Sequence, residues 1–127
     1  MRNILLADDD PDYLFLTSAM LRKMGFNVLS AHSQKEAEKI MSEVRPDLAI
    51  FDLMMEHDDS GFILCHKLRA LHPGVPIILA TAVAAETGMQ FGNTGNAAAW
   101  VKADRILEKG IRAEQLEAVI DQLIPKK

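Results

Sequence analysis

Five short apolar runs, Ile4–Ala7, Val28–Ala31, Leu48–Phe51, Ile77–Ala80 and Ile106–Leu107, alternate with stretches whose apolar residues recur at helical intervals. That alternation constrains the fold more than any other feature of the chain. A strand buried on both faces reads as a continuous Ile, Leu and Val run, because helices cover it above and below. Strands and helices taken in turn build a parallel sheet. The expected architecture is α/β: a doubly wound five-stranded parallel sheet with helices on both faces, in one domain over residues 1–127.

The helix boundaries follow from capping chemistry. Pro11 opens the first helix; Tyr13, Leu16, Met20 and Met24 form its inward face, Phe15 its outer face and Leu14 the border, and Gly25 ends it. Ser33 to Glu36 is a capping box that opens the second, with Ala37, Ile40 and Val44 inward before Pro46. The third starts at Ser60 or Gly61, turns Leu64, Leu68 and Leu71 inward, and stops at His72-Pro73-Gly74. The last carries the stripe Leu116, Val119, Ile120, Leu123 and Ile124 and stops at Pro125. Between them, residues 82–105 are punctuated by Gly88, Gly92 and Gly95, and AAAWVK (97–102) reads as helix or strand. Those glycines form no dinucleotide fingerprint, and no Gly-Lys-Ser/Thr follows them, which argues against a phosphate loop.

Charge and composition narrow the function. A net charge of −4 and a pI near 5.5 argue against direct nucleic-acid binding. No apolar run approaches the ~20 residues of a membrane span, and no signal segment opens the chain. The single cysteine, Cys65, excludes an internal disulfide and reads as a small buried hydrophobe in a reducing, cytoplasmic setting.

The residues ILLADDDPD (4–12) set the chemical question. Two ionised carboxylates ~4 Å apart repel by about 4 kcal/mol at an effective dielectric of ~20, so four acids in five residues need separate duties or a cation. Asp10 before Pro11 is a helix N-cap, and Asp12 complements the dipole of the first turn. Asp8 and Asp9 remain, at the carboxyl end of the first strand, the edge where open α/β sheets bind ligands. LAIFDLMM (48–55) brings Asp52 to the same edge. Three converging carboxylates call for a small hard divalent ion, Mg²⁺. Thr81 and Lys109 end two further strands there, offering a hydroxyl donor and a point charge suited to phosphate. Together these groups describe a site that accepts phosphoryl on a carboxylate.

In this ordered set the sequence resembles the receiver domain of two-component response regulators. ILLADDDP is similar to that family's first strand and acidic pair, PDLAIFDLMM (46–55) to its phosphoacceptor strand, PIILATA (76–82) to its hydroxyl strand and KGIRAEQL (109–116) to its lysine motif. The resemblance implies a flavodoxin-like receiver fold and a signalling switch with no enzymatic role beyond its own phosphorylation and hydrolysis. It implies transfer from the phosphohistidine of a histidine kinase or phosphotransfer protein to Asp52. Mg²⁺ would be held by Asp8, Asp9, Asp52 and the Met54 carbonyl, with Thr81 and Lys109 on the phosphoryl oxygens. A downstream protein target would read the change; with no DNA-binding or enzymatic output domain after Pro125, the expectation is a stand-alone receiver acting through protein contacts or as a phosphorelay intermediate.

Four features depart from the family pattern. Gly110 replaces the usual proline, so a trans or strained peptide is expected; Glu56 replaces a proline in a longer acceptor loop. Ile106 replaces an aromatic switch residue, and the span from Thr81 to Lys109 is long, which makes Lys102 a rival lysine. Lys109 is preferred because an amphipathic helix follows it directly. With Ile106 unable to act as a ring switch, output is expected through 82–105, which carries Met89, Phe91 and Trp100. Two other readings compete. One is an aspartyl-phosphate hydrolase of the haloacid dehalogenase type, with Asp8 as nucleophile and Asp10 as acid/base; the other is a receiver-like interaction module that never gains phosphate.

Overall fold

The computed structural model of the chain describes residues 2–53, 55, 60–81 and 103–125. Five strands form one parallel sheet: β1 (Asn3–Ala7), β2 (Asn27–Ala31), β3 (Leu48–Asp52), β4 (Ile77–Thr81) and β5 (Arg105–Glu108). Among the described residues four helices accompany them: α1 (Pro11–Lys23), α2 (Gln34–Glu43), α3 (Ser60–Leu71) and α4 (Ala113–Leu123). The strand order is β2-β1-β3-β4-β5. From β1 the chain first winds to one side and then crosses back, so the order reverses between β1 and β3. This is the doubly wound architecture expected from the alternation. No helix of the described residues is long and apolar enough to cross a membrane.

Strand side chains alternate between faces, and the sheet divides the core accordingly. Leu5, Ala7, Ala49, Phe51, Ile77 and Leu79 join the cluster on the α2–α3 side. Ile4, Leu6, Leu48, Ile50 and Ile78 join the cluster that includes Leu14 and Leu21 of α1 and Leu116 and Ile120 of α4. Cys65 is buried in the first cluster, and burial pushes its thiol up to about 12, so it behaves as the expected hydrophobe.

The caps form much as the sequence indicates. Asp10 accepts from the Asp12 and Tyr13 N–H groups at 3.0 and 3.4 Å. Ser33 accepts from the Glu36 N–H at 3.1 Å, while the Glu36 carboxylate reaches back one residue further than expected, to the His32 N–H at 2.6 Å.

Three inward assignments are corrected. On α1 the buried residues are Leu14, Thr17, Ser18 and Leu21. Leu16 is 62% exposed, Tyr13, Met20 and Met24 are half-buried, and Phe15 is exposed as expected. Two small polar residues, Thr17 and Ser18, sit against the sheet, and the Ser18 hydroxyl meets that of Ser30 at 3.3 Å. A hydropathy pattern cannot see that choice, so the inward face lies about one residue, ~100°, from the apolar one. Val44 is exposed because it is already the C-cap of α2, in extended backbone. Leu71 is exposed at the last position of α3.

At the start of α3, Gly61 lies hard against the end of β3, and its N–H donates to the Leu53 carbonyl at 2.9 Å. A Cβ there would stand 2.6 Å from the Asp52 carbonyl oxygen and 2.7 Å from Leu53 Cα, both backbone atoms that cannot swing aside. Gly61→Ala is therefore expected to cost about 1–3 kcal/mol in chemical denaturation. Gly74→Ala, whose Cβ would meet only the mobile Arg45 guanidinium at 3.3 Å, should stay within about 0.5 kcal/mol of wild type.

Candidate functional site

The pleat brings the charged groups together. Asp8, Asp52 and Lys109 each follow the α1-facing residues of their strands by one step of the alternation: Leu6 then Asp8, Ile50 then Asp52, Leu107 then Lys109. The ladders continue past the strand ends to hold them there. The Asp8 N–H donates to the Ala31 carbonyl at 3.1 Å, and the Lys109 N–H to the Thr81 carbonyl at 2.9 Å. The site therefore lies at the carboxyl edge, at the β1/β3 reversal where open α/β sheets bind their ligands.

Asp8 is fully buried. One of its oxygens accepts from the Asp10 N–H at 2.9 Å, and the other meets the Lys109 ammonium at 2.7 Å. The same ammonium stands 3.3 Å from Oδ1 of Asp52, which is also buried. Asp9 is exposed, yet Asp8, Asp9 and Asp52 each present an oxygen within 4.8 Å of the others. Three carboxylates against one ammonium give a formal charge of −3 + 1 = −2. Beyond the Lys109 ion pair, Oδ2 of Asp8 has no hydrogen-bond donor. An all-oxygen donor set, a net deficit of two charges and a buried oxygen short of donors suit a small hard divalent cation such as Mg²⁺. Asp8, Asp9 and Asp52 are the side chains that could hold it.

Lys109 stands at the carboxylates; the rival Lys102 lies outside the described residues. Burial alone would lower the Lys109 pKa, but the hydrogen bond it donates to Asp8 and the charges of Asp52 and Asp8 outweigh that and hold it above the ordinary 10.5. Thr81 is buried at the end of β4, one residue beyond Ala80, the register partner of Asp52. It falls in the opposite phase of the pleat from Asp52. The Lys109–Gly110 peptide is trans, and Gly110 takes φ +86, a left-handed conformation that side chains disfavour. The expectation of a trans or strained link is met by a residue able to adopt that turn. Met54, Glu56, Lys102, Trp100 and the rest of 82–102 lie outside the described residues.

One residue at the site was not singled out by the sequence. The Tyr13 ring lies under the Lys109 ammonium, 4.7 Å from Nζ to its centroid. Burial raises the Tyr13 phenol above its ordinary 10.0, against a hydrogen bond with Thr17 that lowers it. Periodicity assigned Tyr13 to the inward face of α1; only the fold places that face beside β5.

Because the Lys109 pKa is higher folded than unfolded, its contribution to stability is fully present below about pH 10.5 and is lost as pH rises through the raised value. Lys109→Met leaves Asp8 buried without its cation and should cost about 3–5 kcal/mol at neutral pH. The gap from wild type should close only above about pH 10.5, and Asp8→Asn in the same chain should recover part of it. Denaturation curves of the three proteins across pH check this.

The family model of the response regulator receiver domain matches residues 4–121. The chain is 37% identical over 79 residues to the probable transcriptional regulatory protein TcrX of Mycobacterium tuberculosis, covering 62% of this chain and 33% of that protein. It is 36% identical over 80 residues to the transcriptional regulatory protein GlrR of Escherichia coli, covering 63% of this chain and 18% of that protein. The chain thus spans a third or less of these two relatives. Among solved structures it is similar to a two-component response regulator from Clostridium difficile, with a TM-score of 0.83 at 23% identity over 99% of this chain and 98% of that one. The response regulator TrrA of Thermotoga maritima, solved in complex with Mg(2+)-BeF, matches with a TM-score of 0.79 at 24% identity, covering 98% of this chain and all (100%) of that one. At these identities the two structures speak for the fold.

Proposed function

The chain belongs to the response regulator receiver domain family, and on that premise we propose that residues 1–127 form one receiver domain whose phosphoacceptor is Asp52. The carrying observation is the place of Asp52: buried, at the end of β3 beside the reversal of strand order, with Lys109 3.3 Å from its Oδ1. A carboxylate oxygen of Asp52 attacks the phosphorus of a partner's phosphohistidine. The P–O bond forms as the P–N bond breaks, and the imidazole leaves. A Mg²⁺ ion held by Asp8, Asp9 and Asp52, with the Met54 carbonyl proposed as a further ligand, would offset charge on the transferring group.

Lys109 then shifts its pairing from two carboxylates to the new phosphoryl oxygens, and Thr81 supplies a hydroxyl to them. Water later cleaves the acyl phosphate and resets the site, so the chain's own chemistry ends with its own aspartate. The donor is a histidine kinase or phosphotransfer protein, the reader a downstream protein, and the setting the cytoplasm. The beryllofluoride complex of TrrA supports this reading by analogy alone.

The hydrolase alternative is disfavoured by the acids it needs. Asp8 is enclosed, with one oxygen on the Asp10 N–H and the other on Lys109. Asp10 is occupied as the cap of α1.

Intact mass after incubation with acetyl phosphate and Mg²⁺ tests the assignment. Wild type should gain one phosphoryl group and Asp52→Asn none; labelling of Asp52→Asn would move the acceptor elsewhere. Asp9→Ala should abolish both labelling and the rise in melting temperature that Mg²⁺ gives wild type. Asp10→Ala should keep both and lose only about 0.5–2 kcal/mol of stability with its cap.

The partner is expected on α1, where Phe15, 75% exposed, and Leu16 present large apolar side chains close to the site. Phe15→Ala should slow transfer from the kinase and leave acetyl-phosphate labelling unchanged. Equal slowing of both would place the partner on another surface.

A further inference from the structure

The α1 side of the sheet is not filled beneath Lys109. A cavity of about 150 Å³ lies between α1, the carboxyl halves of β4 and β5 and the start of α4, walled by Met20, Ile78, Ala80, Leu107, Ile111 and Leu116. Tyr13 also lines it, and the same ring carries the Lys109 ammonium. Interiors are normally close-packed, with few voids larger than a water molecule. A cavity of ~150 Å³ lined by Leu, Ile and Phe stays dry and takes up benzene or xenon.

We propose that this cavity is a binding site for a small apolar molecule about the size of one aromatic ring, and that its occupancy is felt at Lys109 through Tyr13. The walls are largely apolar, with the exposed Glu108 as the one charged residue among them, and the Thr17 hydroxyl is hydrogen-bonded to Tyr13. An entrance exists at the rim, where Leu16 is largely exposed. Gly110 belongs to the lining, and a Cβ on it would meet nothing within 4 Å, so the chain leaves this space open directly after Lys109. A guest would touch the Tyr13 ring on α1 and the Gly110–Ile111 backbone on the far side, the two structures that flank the lysine.

The binding half stands on the cavity alone; the coupling half rests on the phosphoacceptor reading. Benzene titrated into the methyl-labelled chain should shift the Leu107, Ile111 and Leu116 methyl resonances and the Tyr13 ring resonances saturably. Ala80→Leu and, separately, Ile111→Phe fill the space and should remove the shifts while far-ultraviolet circular dichroism stays native. Absence of saturable shifts up to benzene's solubility, or their persistence in a folded filled variant, overturns the site. For coupling, saturating benzene should change the initial rate of labelling by acetyl phosphate in wild type and leave it unchanged in the filled variants. An unchanged wild-type rate with benzene bound overturns the coupling. A protein that binds benzene but is never labelled sinks the phosphoacceptor reading and keeps the site.

Discussion

One ammonium group makes the carboxyl edge of this sheet tenable. Asp8 has no contact with water, and a buried carboxylate is costly unless it is paired and hydrogen-bonded. Lys109 at 2.7 Å and the Asp10 N–H at 2.9 Å meet that need. The lysine also faces Asp52 at 3.3 Å, so a single charge is divided between two acids while Asp9 adds a third. The arrangement compensates enough charge to fold and too little to be neutral. Its residual −2 favours a divalent cation, and a group that can draw Lys109 away from Asp8 has an immediate structural effect.

The rest of the molecule holds four strand ends at one edge. Parallel strands all finish on the same side, and at the reversal between β1 and β3 the chain sends α1 and α3 to opposite faces of the sheet. The two-residue period then places Asp8, Asp52 and Lys109 on the α1 side, because each lies one period beyond an apolar residue already committed to that core. Gly61 matters for the same reason. It lets α3 start directly against the backbone of Asp52 and Leu53 at the end of β3.

Most of this was legible because it depends on run lengths and strand ends. The five strands begin within a residue of the sequence reading, Asp10 caps α1, and Leu116, Val119, Ile120, Leu123 and Ile124 all face the core they were assigned to. What failed on α1 had one physical cause: hydropathy ranks side chains by size and apolarity, whereas a helix lying flat on a sheet selects by fit. Thr17 and Ser18 are narrow enough for α1 to lie close on the sheet, Ser18 against Ser30 of β2, so the helix turns them inward with Leu14 and Leu21. Leu16 is left outside, and Tyr13 is delivered to the lysine. The Tyr13–Lys109 contact joins residues 96 apart in the chain and carries no periodic signature. It could be found only once both elements were placed.

The two ends of β5 are held in unequal ways, and this decides where a change at Lys109 can travel. At the start, the Asp104 carboxylate accepts from the Ile77 N–H at 2.7 Å and from Arg69 at 2.9 Å, and the Asp104 N–H donates to the Ile77 carbonyl at 2.8 Å. Ile106 is packed into the α2–α3 side of the core. That end is tied to α3 and β4 together. At the other end, the ladder reaches Lys109 through the Thr81 carbonyl, and then comes Gly110 in its left-handed turn. A backbone with no side chain to hinder it, next to a lysine shared by two acids, is the softer end of the strand. A change in Lys109 pairing is therefore expected to be taken up first by what touches it directly: the Lys109–Ile111 turn, the Tyr13 ring and the end of β4 at Thr81.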